Sequence, residues 1–116
     1  MSKAKEDLVP MHHMLDAAQK IVKFIHNSNR ADLEKDEKLS LSIVRLLEII
    51  GEAARNVSDQ CQDMYPEIPW RQMAGMRNRL IHGYFDVDLN IVWKIATIDL
   101  PALITELQQA LSSNSE

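Results

Sequence analysis

Hydrophobic residues recur every three or four positions over two long stretches in the first half of the chain, residues 8–25 and residues 36–57. This is the spacing of one face of an α-helix, so the sequence predicts an amphipathic helix in each stretch. Residues 27–30 interrupt the pattern and are predicted to form a loop. The charged residues 31–37 that follow are predicted to form a turn or a single turn of helix.

Proline and glycine divide the second half of the chain. Residues 58–69 contain two prolines and are predicted to hold a short turn of helix within an irregular connection. A helix is predicted to restart after Pro69, because a proline in the first helical turn loses no hydrogen bond. This helix is expected to run from Trp70 to about His82, with Gly83 at its C-terminus.

The last helical stretch is predicted to begin at Asp86 or Asp88, because either side chain can cap a helix N-terminus. Pro101 interrupts it, since proline lacks a backbone donor and clashes with the preceding turn. The sequence therefore predicts a kink or a division of this helix near Asp99. Residues 112–116 are predicted to be a frayed tail.

The second helix carries two further features. Gly51 lies in its middle, where glycine costs about 1 kcal/mol relative to alanine. This cost predicts the close approach of another backbone, most simply that of a neighbouring helix. The opposite face aligns Arg45, Glu48, Glu52 and Arg55 at steps of three, four and three. Such a stripe is usually solvated surface, and the alternatives are an interface or the wall of a polar site.

Composition agrees with a helical fold. The 116 residues suit one domain, residues 1–116, and the three glycines and four prolines are too few for the turns of a β-sandwich or barrel. The predicted fold class is all-α, an up-and-down bundle of about four main helices with short extra turns. The sequence contains no signal peptide pattern and no membrane-spanning stretch. Together with the single cysteine, Cys61, this predicts a cytoplasmic protein.

One segment of this acidic chain carries only positive charge. The chain has 13 Lys and Arg against 17 Asp and Glu, a net charge of -4, which argues against broad charge-driven binding of nucleic acid. Arg71, Arg77 and Arg79 nevertheless lie in a segment without any acid between Trp70 and Tyr84. Guanidinium groups bind phosphate oxygens in a bidentate geometry. The segment is therefore a candidate site for a phosphate group.

A histidine follows these arginines, and helical geometry limits how the two can act together. In a continuous helix Arg77 and His82 are about 140° apart, whereas Asn78 and His82 share a face. Arg77 must therefore reach round, or the helix must loosen towards Gly83. A second copy across a two-fold axis would bring two arginines and two histidines to one cleft. This arrangement predicts a homodimer.

The segment resembles a known motif. Arg77, four residues, His82, one residue and Tyr84 match the signature of HepT-like toxins, small helical proteins of the HEPN superfamily. Three further blocks of the chain resemble members of that family in the same order: residues 47–54, residues 65–70, and residues 92–93 with 99–101. The resemblance covers roughly residues 8–110.

The resemblance implies a metal-independent endoribonuclease that is the toxin of a toxin–antitoxin pair. The resemblance also implies that the protein forms a symmetric homodimer. Its implied partner is a small nucleotidyltransferase antitoxin of the minimal type. Carried over by position, Arg77 and His82 are catalytic and Tyr84 is the tyrosine that the antitoxin adenylylates. Asn78 matches the polar residue that often follows the arginine. No cofactor and no metal site are implied.

The chemistry of RNA fits these assignments, because RNA carries its own nucleophile in the 2′-hydroxyl group. His82 is the candidate general base or acid, Arg77 the group that stabilises charge at phosphorus, and Asn78 the residue that orients the imidazole. Glu52 is a candidate supporting residue if its helix lines the same cleft. AMP on Tyr84 would add bulk and negative charge beside Arg77 and so block RNA.

Each of these residues also has a plainer interpretation. His82 could cap a helix C-terminus next to Gly83, Arg77 and Arg79 could be solvated, and Tyr84 could be a core residue. The protein would then be a non-catalytic module that binds RNA, a nucleotide or a partner protein such as the nucleotidyltransferase. The intact set of arginine, histidine and tyrosine favours the enzyme.

Two other candidate sites are weaker. His12, His13 and Asp16 place a histidine and an acid four residues apart, a geometry that can hold a metal, but two ligands do not complete a site. Cys61 has no histidine or basic residue beside it in the sequence, which favours a packed thiol over a nucleophile.

Overall fold

The computed structural model describes residues 3–82 and 86–113, and only the backbone of residues 3–5 and 82. Most of the described residues are helical, which confirms the predicted all-α bundle. The elements in chain order are α1 (Lys3–Ile25), α2 (Arg30–Lys35), α3 (Glu37–Arg55), α4 (Asp59–Met64), α5 (Trp70–Ala74), α6 (Met76–Leu80), β1 (Ile81–His82), β2 (Asp86–Val87), α7 (Leu89–Lys94), a π-helical turn (Ile95–Asp99) and α8 (Leu100–Ser113).

The two long helices of the first half form where the hydrophobic spacing predicts them. Helix α1 begins five residues earlier than expected, and α3 ends at Arg55, two residues before the predicted end. Asp36 caps α3, because its side chain accepts a hydrogen bond from the N–H of Leu39 at 3.2 Å. The charged segment between them forms the single short helix α2, capped by Asn29.

The core lies between α1, α3 and the helices of the second half. Helix α1 packs against α3 and α8, while α3 also packs against α5 and α6. Each helix turns one apolar stripe inward, as the period of 3.6 residues requires. The largest fully buried side chains are Met11, Met14, Ile21, Leu33, Ile43, Leu47, Ile50, Met73, Met76, Leu80, Ile95 and Leu100. Within the described residues, no helix is long and apolar enough to cross a membrane.

Gly51 makes the close backbone approach that its position in α3 predicts. A Cβ atom at this residue would lie 2.8 Å from the backbone oxygen of Met73 and 3.3 Å from the Cβ of Met76. Carbon and oxygen atoms do not pack at 2.8 Å, so only glycine lets α3 and α5 come this close. The contact fixes where α5 and α6 lie on α3.

The helix predicted from Trp70 to His82 is shorter and broken. It is divided at Gly75 into α5 and α6, and it ends at Leu80. Ile81 has an extended backbone (φ −115°, ψ 121°), and the N–H of Asp88 donates to the oxygen of Leu80 at 2.8 Å. The expected end of the helix near His82 is therefore wrong, because the chain changes to an extended strand at Ile81.

The two short strands that follow are antiparallel, with Ile81 opposite Val87 and His82 opposite Asp86. The expected helix C-terminus at Gly83 lies outside the described residues. Asp88 caps the next helix, since its side chain accepts hydrogen bonds from the N–H groups of residues 90 and 91. Of the two predicted caps, Asp88 is confirmed and Asp86 is wrong, because Asp86 belongs to β2.

The predicted interruption of the last helix takes the form of the π-helical turn. The N–H of Leu100 donates to the oxygen of Ile95, five residues earlier. The wider turn accommodates Pro101, which cannot donate to the helical ladder and would crowd a regular preceding turn. Helix α8 then continues to Ser113, so residues 112 and 113 are helical rather than frayed. Residues 114–116 of the predicted tail lie outside the described residues.

Substitution of Gly51 tests the close approach of α3 and α5. We expect Gly51→Ala to lower the Tm by about 4 °C or more, because overpacking costs about 1–3 kcal/mol and outweighs the gain in helix propensity. The control is Gly75→Ala, whose Cβ would meet the oxygen of Arg71 at 3.4 Å, an ordinary contact. Thermal unfolding followed by circular dichroism measures both. A Gly51→Ala protein as stable as the wild type would contradict this packing.

Candidate active site

Helix α6 presents Arg77 and Asn78 to solvent. Met76 and Leu80, four residues apart, are fully buried and hold the inner side of this short helix in the core. Arg77 and Asn78 occupy the outer side and are both exposed. A guanidinium group in this position keeps its donors available to a ligand. The anion-binding segment predicted from the sequence is therefore accessible at Arg77.

Arg77 faces a groove whose other wall is the charged stripe of α3. The groove has a volume of about 200 Å³ and is lined by Arg45, Glu48, Gly51, Glu52, Arg55 and Arg77. We call it the Arg77 groove. The stripe is thus the wall of a polar groove, rather than only the solvated surface that its spacing most simply indicates. Glu52 and Arg77 line the same groove, and the supporting role of Glu52 stays a prediction.

Arg55 connects this wall to the end of α5. Its Nη1 donates a hydrogen bond of 2.7 Å to the backbone oxygen of Ala74, the last residue of α5. Carbonyl groups at a helix C-terminus lack partners within the helix, and a cationic donor satisfies them well. One turn earlier on α3, Gly51 lies against the oxygen of Met73. Together the two residues of α3 fix the point from which α6 and Arg77 start.

The residues after α6 are described only in part. His82 lies in β1, and its side chain is outside the described residues, as are Gly83 and Tyr84 entirely. The expected shared helical face of Asn78 and His82 is wrong, because the helix ends at Leu80. The sequence left two alternatives: either the Arg77 side chain reaches round the helix, or the helix loosens towards Gly83. The structure matches the second, because the helical backbone ends at Leu80. The catalytic role of His82 and the modification of Tyr84 stay predictions.

Arg79 differs from the expectation of solvated surface. Its side chain is one third exposed, and its Nη2 lies 3.8 Å from Oδ2 of Asp99 in the π-helical turn. Its Nη1 is buried and has no hydrogen-bond partner among the described residues. The pair joins α6 to the turn before Pro101. Sequence periodicity does not reveal such a contact, because the two residues are far apart along the chain.

A second groove lies between α1 and α3. It has a volume of about 390 Å³, and its lining includes Glu6, Val9, His13, Glu52 and Asn56. Glu52 therefore borders both grooves. His13 lies here, but the described residues contain no group of three or more His, Cys, Asp and Glu side chains placed to hold a metal ion.

Cys61 is buried, as its sequence context favours. Burial, and then the nearby carboxylate of Asp7, raise the pKa of the Cys61 thiol to about 11. The thiol is therefore neutral at physiological pH and a poor nucleophile. Asp7 is itself buried and accepts hydrogen bonds from the backbone N–H and the hydroxyl group of Ser58, at 2.8 and 2.6 Å. This cluster joins α1 to the start of α4 and serves the fold.

Comparison with known proteins gives a consistent picture. Residues 14–110 match the family described as Ribonuclease HepT-like. A Thermococcus cleftensis protein named "Probable ribonuclease HepT" is 40% identical over 93 residues, which cover 80% of this chain and 84% of the relative. A Methanocaldococcus jannaschii protein named "Putative RNase" is 32% identical over 98 residues, or 84% of this chain and 90% of the relative. No solved structure is significantly similar to the chain.

Removal of the Arg55 side-chain donor tests its hold on α5 and α6. We expect Arg55→Met to speed amide hydrogen exchange in residues 75–80 about fivefold, because the lost hydrogen bond contributes about 1 kcal/mol to holding this segment. The control is Arg71→Met, which removes an exposed arginine from α5 itself. Exchange measured by mass spectrometry compares the two. Equal exchange in Arg55→Met and wild type would show that this bond does not position α6.

Proposed function

The chain belongs to the ribonuclease HepT-like family, and we propose that it is a metal-independent endoribonuclease that acts as the toxin of a toxin–antitoxin pair. The observation that carries the proposal is the exposure of Arg77 in a polar groove. His82 lies in β1, the strand that directly follows α6, so Arg77 and His82 belong to consecutive elements. The proposed substrate is RNA, and the proposed location is the cytoplasm.

The Arg77 groove suits a single phosphate group. Guanidinium groups come from Arg45, Arg55 and Arg77, and Glu48 and Glu52 on the α3 wall balance most of their charge. A long polyanion would be repelled by these carboxylates and by the net charge of -4. One phosphodiester held by Arg77 avoids most of this repulsion. The groove therefore favours a local contact with RNA over a long electrostatic track.

The reaction requires little beyond a positioned phosphate and proton transfer. A base removes the proton of the 2′-hydroxyl group, and its oxygen attacks the adjacent phosphorus. The bond to the 5′-oxygen breaks, and an acid protonates that leaving oxygen. Arg77 stabilises the negative charge that grows on the phosphate oxygens. The products are a 2′,3′-cyclic phosphate and a 5′-hydroxyl end, and no water or metal ion enters the balance.

His82 is the proposed proton-transfer group, since imidazole exchanges protons near neutral pH. One protomer offers one histidine in this segment, whereas the reaction uses a base and an acid. A two-fold homodimer with two Arg77 grooves facing each other would supply both. Asn78, exposed beside Arg77, would contact the phosphate or the ribose in this cleft. Glu52 would hold the arginine side chains of the groove in place.

Inhibition follows from the same charges. The proposed antitoxin is a minimal nucleotidyltransferase that transfers AMP to the hydroxyl group of Tyr84. Tyr84 is five residues beyond Arg79 and two beyond His82, so the added group would lie near the cleft. The phosphate of AMP would compete with RNA for Arg77 and repel the incoming backbone. Modification would thus switch the enzyme off without unfolding it.

Cleavage of labelled single-stranded RNA in the presence of a chelator tests the catalytic assignments. We expect Arg77→Ala and His82→Ala each to lower the rate at least about 100-fold, because they remove charge stabilisation and proton transfer. Arg71→Ala is the matched control and is expected to retain the wild-type rate within about twofold, a small effect compared with those losses. If wild-type protein with unmodified Tyr84 binds this RNA without cutting it, the protein is a binding module instead.

Coexpression with a minimal nucleotidyltransferase tests the modification. We expect intact-mass spectrometry to show a gain of one AMP group on the wild-type protein and none on Tyr84→Phe, because the acceptor hydroxyl is absent. Tyr65→Phe is the matched control, since Tyr65 is the chain's other tyrosine. It is expected to be modified like the wild type. Modification of Tyr84→Phe at another residue would contradict the assignment.

A further inference from the structure

A wide groove at one end of the α1–α3 pair has no role in the proposed reaction. It has a volume of about 520 Å³, within the range of small-molecule sites. The lining residues are Lys20 and Phe24 of α1 and Leu41, Ser42, Arg45 and Leu46 of α3. We call it the Phe24 groove.

The lining combines exposed apolar side chains with positive charge. The side chains of Phe24 and Leu41 are 43% and 62% exposed, which is unusual for two large hydrophobic residues at one place. Lys20 and Arg45 flank them, and the lining contains no carboxylate. Lys20 pairs with Asp16 at 3.2 Å, but both are well exposed, so this pair is weak and can yield to a phosphate.

The Phe24 groove and the Arg77 groove share one lining residue. Arg45 of α3 borders both of them. From Arg45 to Glu52 the axis of α3 advances about 10 Å, a distance that a few nucleotides of single-stranded RNA can span. A strand with one phosphate at Arg77 therefore passes Glu48 and Glu52 within a few nucleotides, so few of its phosphates meet these carboxylates before the strand reaches Arg45 at the edge of the Phe24 groove.

We propose that the Phe24 groove is a second RNA subsite, which binds an unpaired nucleobase near the phosphate that is cut. The base stacks on the ring of Phe24, while Lys20 and Arg45 contact the phosphates on either side. Aromatic side chains flanked by cations are the usual platform for single-stranded nucleic acid, and they tolerate any base. This inference rests on the proposed function, because the Arg77 groove is taken to hold the scissile phosphate.

The proposal predicts a preference for single-stranded substrates longer than a dinucleotide. A dinucleotide occupies the Arg77 groove alone, whereas an oligomer of about ten nucleotides also reaches Phe24. Stacking then contributes to binding of the oligomer and not to the reaction at its phosphate. Loss of the ring should raise the KM of the oligomer and leave its kcat unchanged. It should also leave dinucleotide cleavage unchanged.

The experiment compares Phe24→Ala, Phe24→Leu and Phe24→Trp with wild type. We expect Phe24→Ala and Phe24→Leu to raise the KM and the Kd of the oligomer about tenfold, and Phe24→Trp to retain wild-type values, since stacking needs an aromatic ring. Binding is measured separately by fluorescence anisotropy. The control is Met64→Ala, because Met64 is another exposed apolar residue, on α4 and outside the lining of the Phe24 groove. It is expected to change neither value.

The outcomes separate this inference from the proposed function. If all proteins bind the oligomer with the expected dependence on Phe24 but none cuts it, the subsite stands and the ribonuclease proposal falls. Equal binding by Phe24→Ala and wild type overturns the subsite, whether or not RNA is cut. Light scattering adds a further check. If Phe24→Ala lowers the molecular mass in solution, the groove is an interface between two copies of the chain, and the subsite is again overturned.

Discussion

The close backbone approach between Gly51 of α3 and the end of α5 is the constraint on which the candidate site depends. A side chain at Gly51 would move α5 away from α3, since its Cβ would stand 2.8 Å from the oxygen of Met73. One turn further along α3, Arg55 donates to the oxygen of Ala74. These two contacts place the first residue of α6. They also bring Arg77 and Glu52 to the same groove. The packing of α5 against α3 therefore also forms the polar groove.

The end of α6 matters as much as its beginning. A continuous helix through His82 would carry the imidazole about 140° away from Arg77. The chain instead becomes extended at Ile81, and the hydrogen bond from Asp88 to Leu80 joins the base of the strand pair to the helix end. The pair of Arg79 and Asp99 adds a contact to the π-helical turn. The described part of the motif, up to residue 82, is therefore held by contacts at Leu80 and Arg79 to the elements that follow it.

The sequence predicts much of this arrangement where a local rule applies. Periodicity locates α1 and α3, proline locates the interruption before α8, and the cost of glycine in a helix predicts the contact at Gly51. Periodicity does not predict the end of α6, because buried Met76 and Leu80 continue the apolar stripe while the extended backbone at Ile81 depends on pairing with Val87. It also misses Arg79 and Asp99, whose contact exists only in the folded chain. The spacing of Glu48 and Glu52 does not decide whether they line a groove, since the same spacing fits a solvated helix face.

We propose that this groove cuts RNA with the substrate's own 2′-hydroxyl group. An RNA oligomer with a single 2′-deoxynucleotide at the position of cleavage tests this step, in the presence of a chelator. We expect the unmodified RNA to be cut to a 2′,3′-cyclic phosphate end, which mass spectrometry identifies, and the deoxy substitution to abolish cleavage at that position alone. Cleavage at the substituted position would show that the 2′-hydroxyl group is not the nucleophile, and cleavage only after addition of a divalent metal ion would show that the reaction needs a metal.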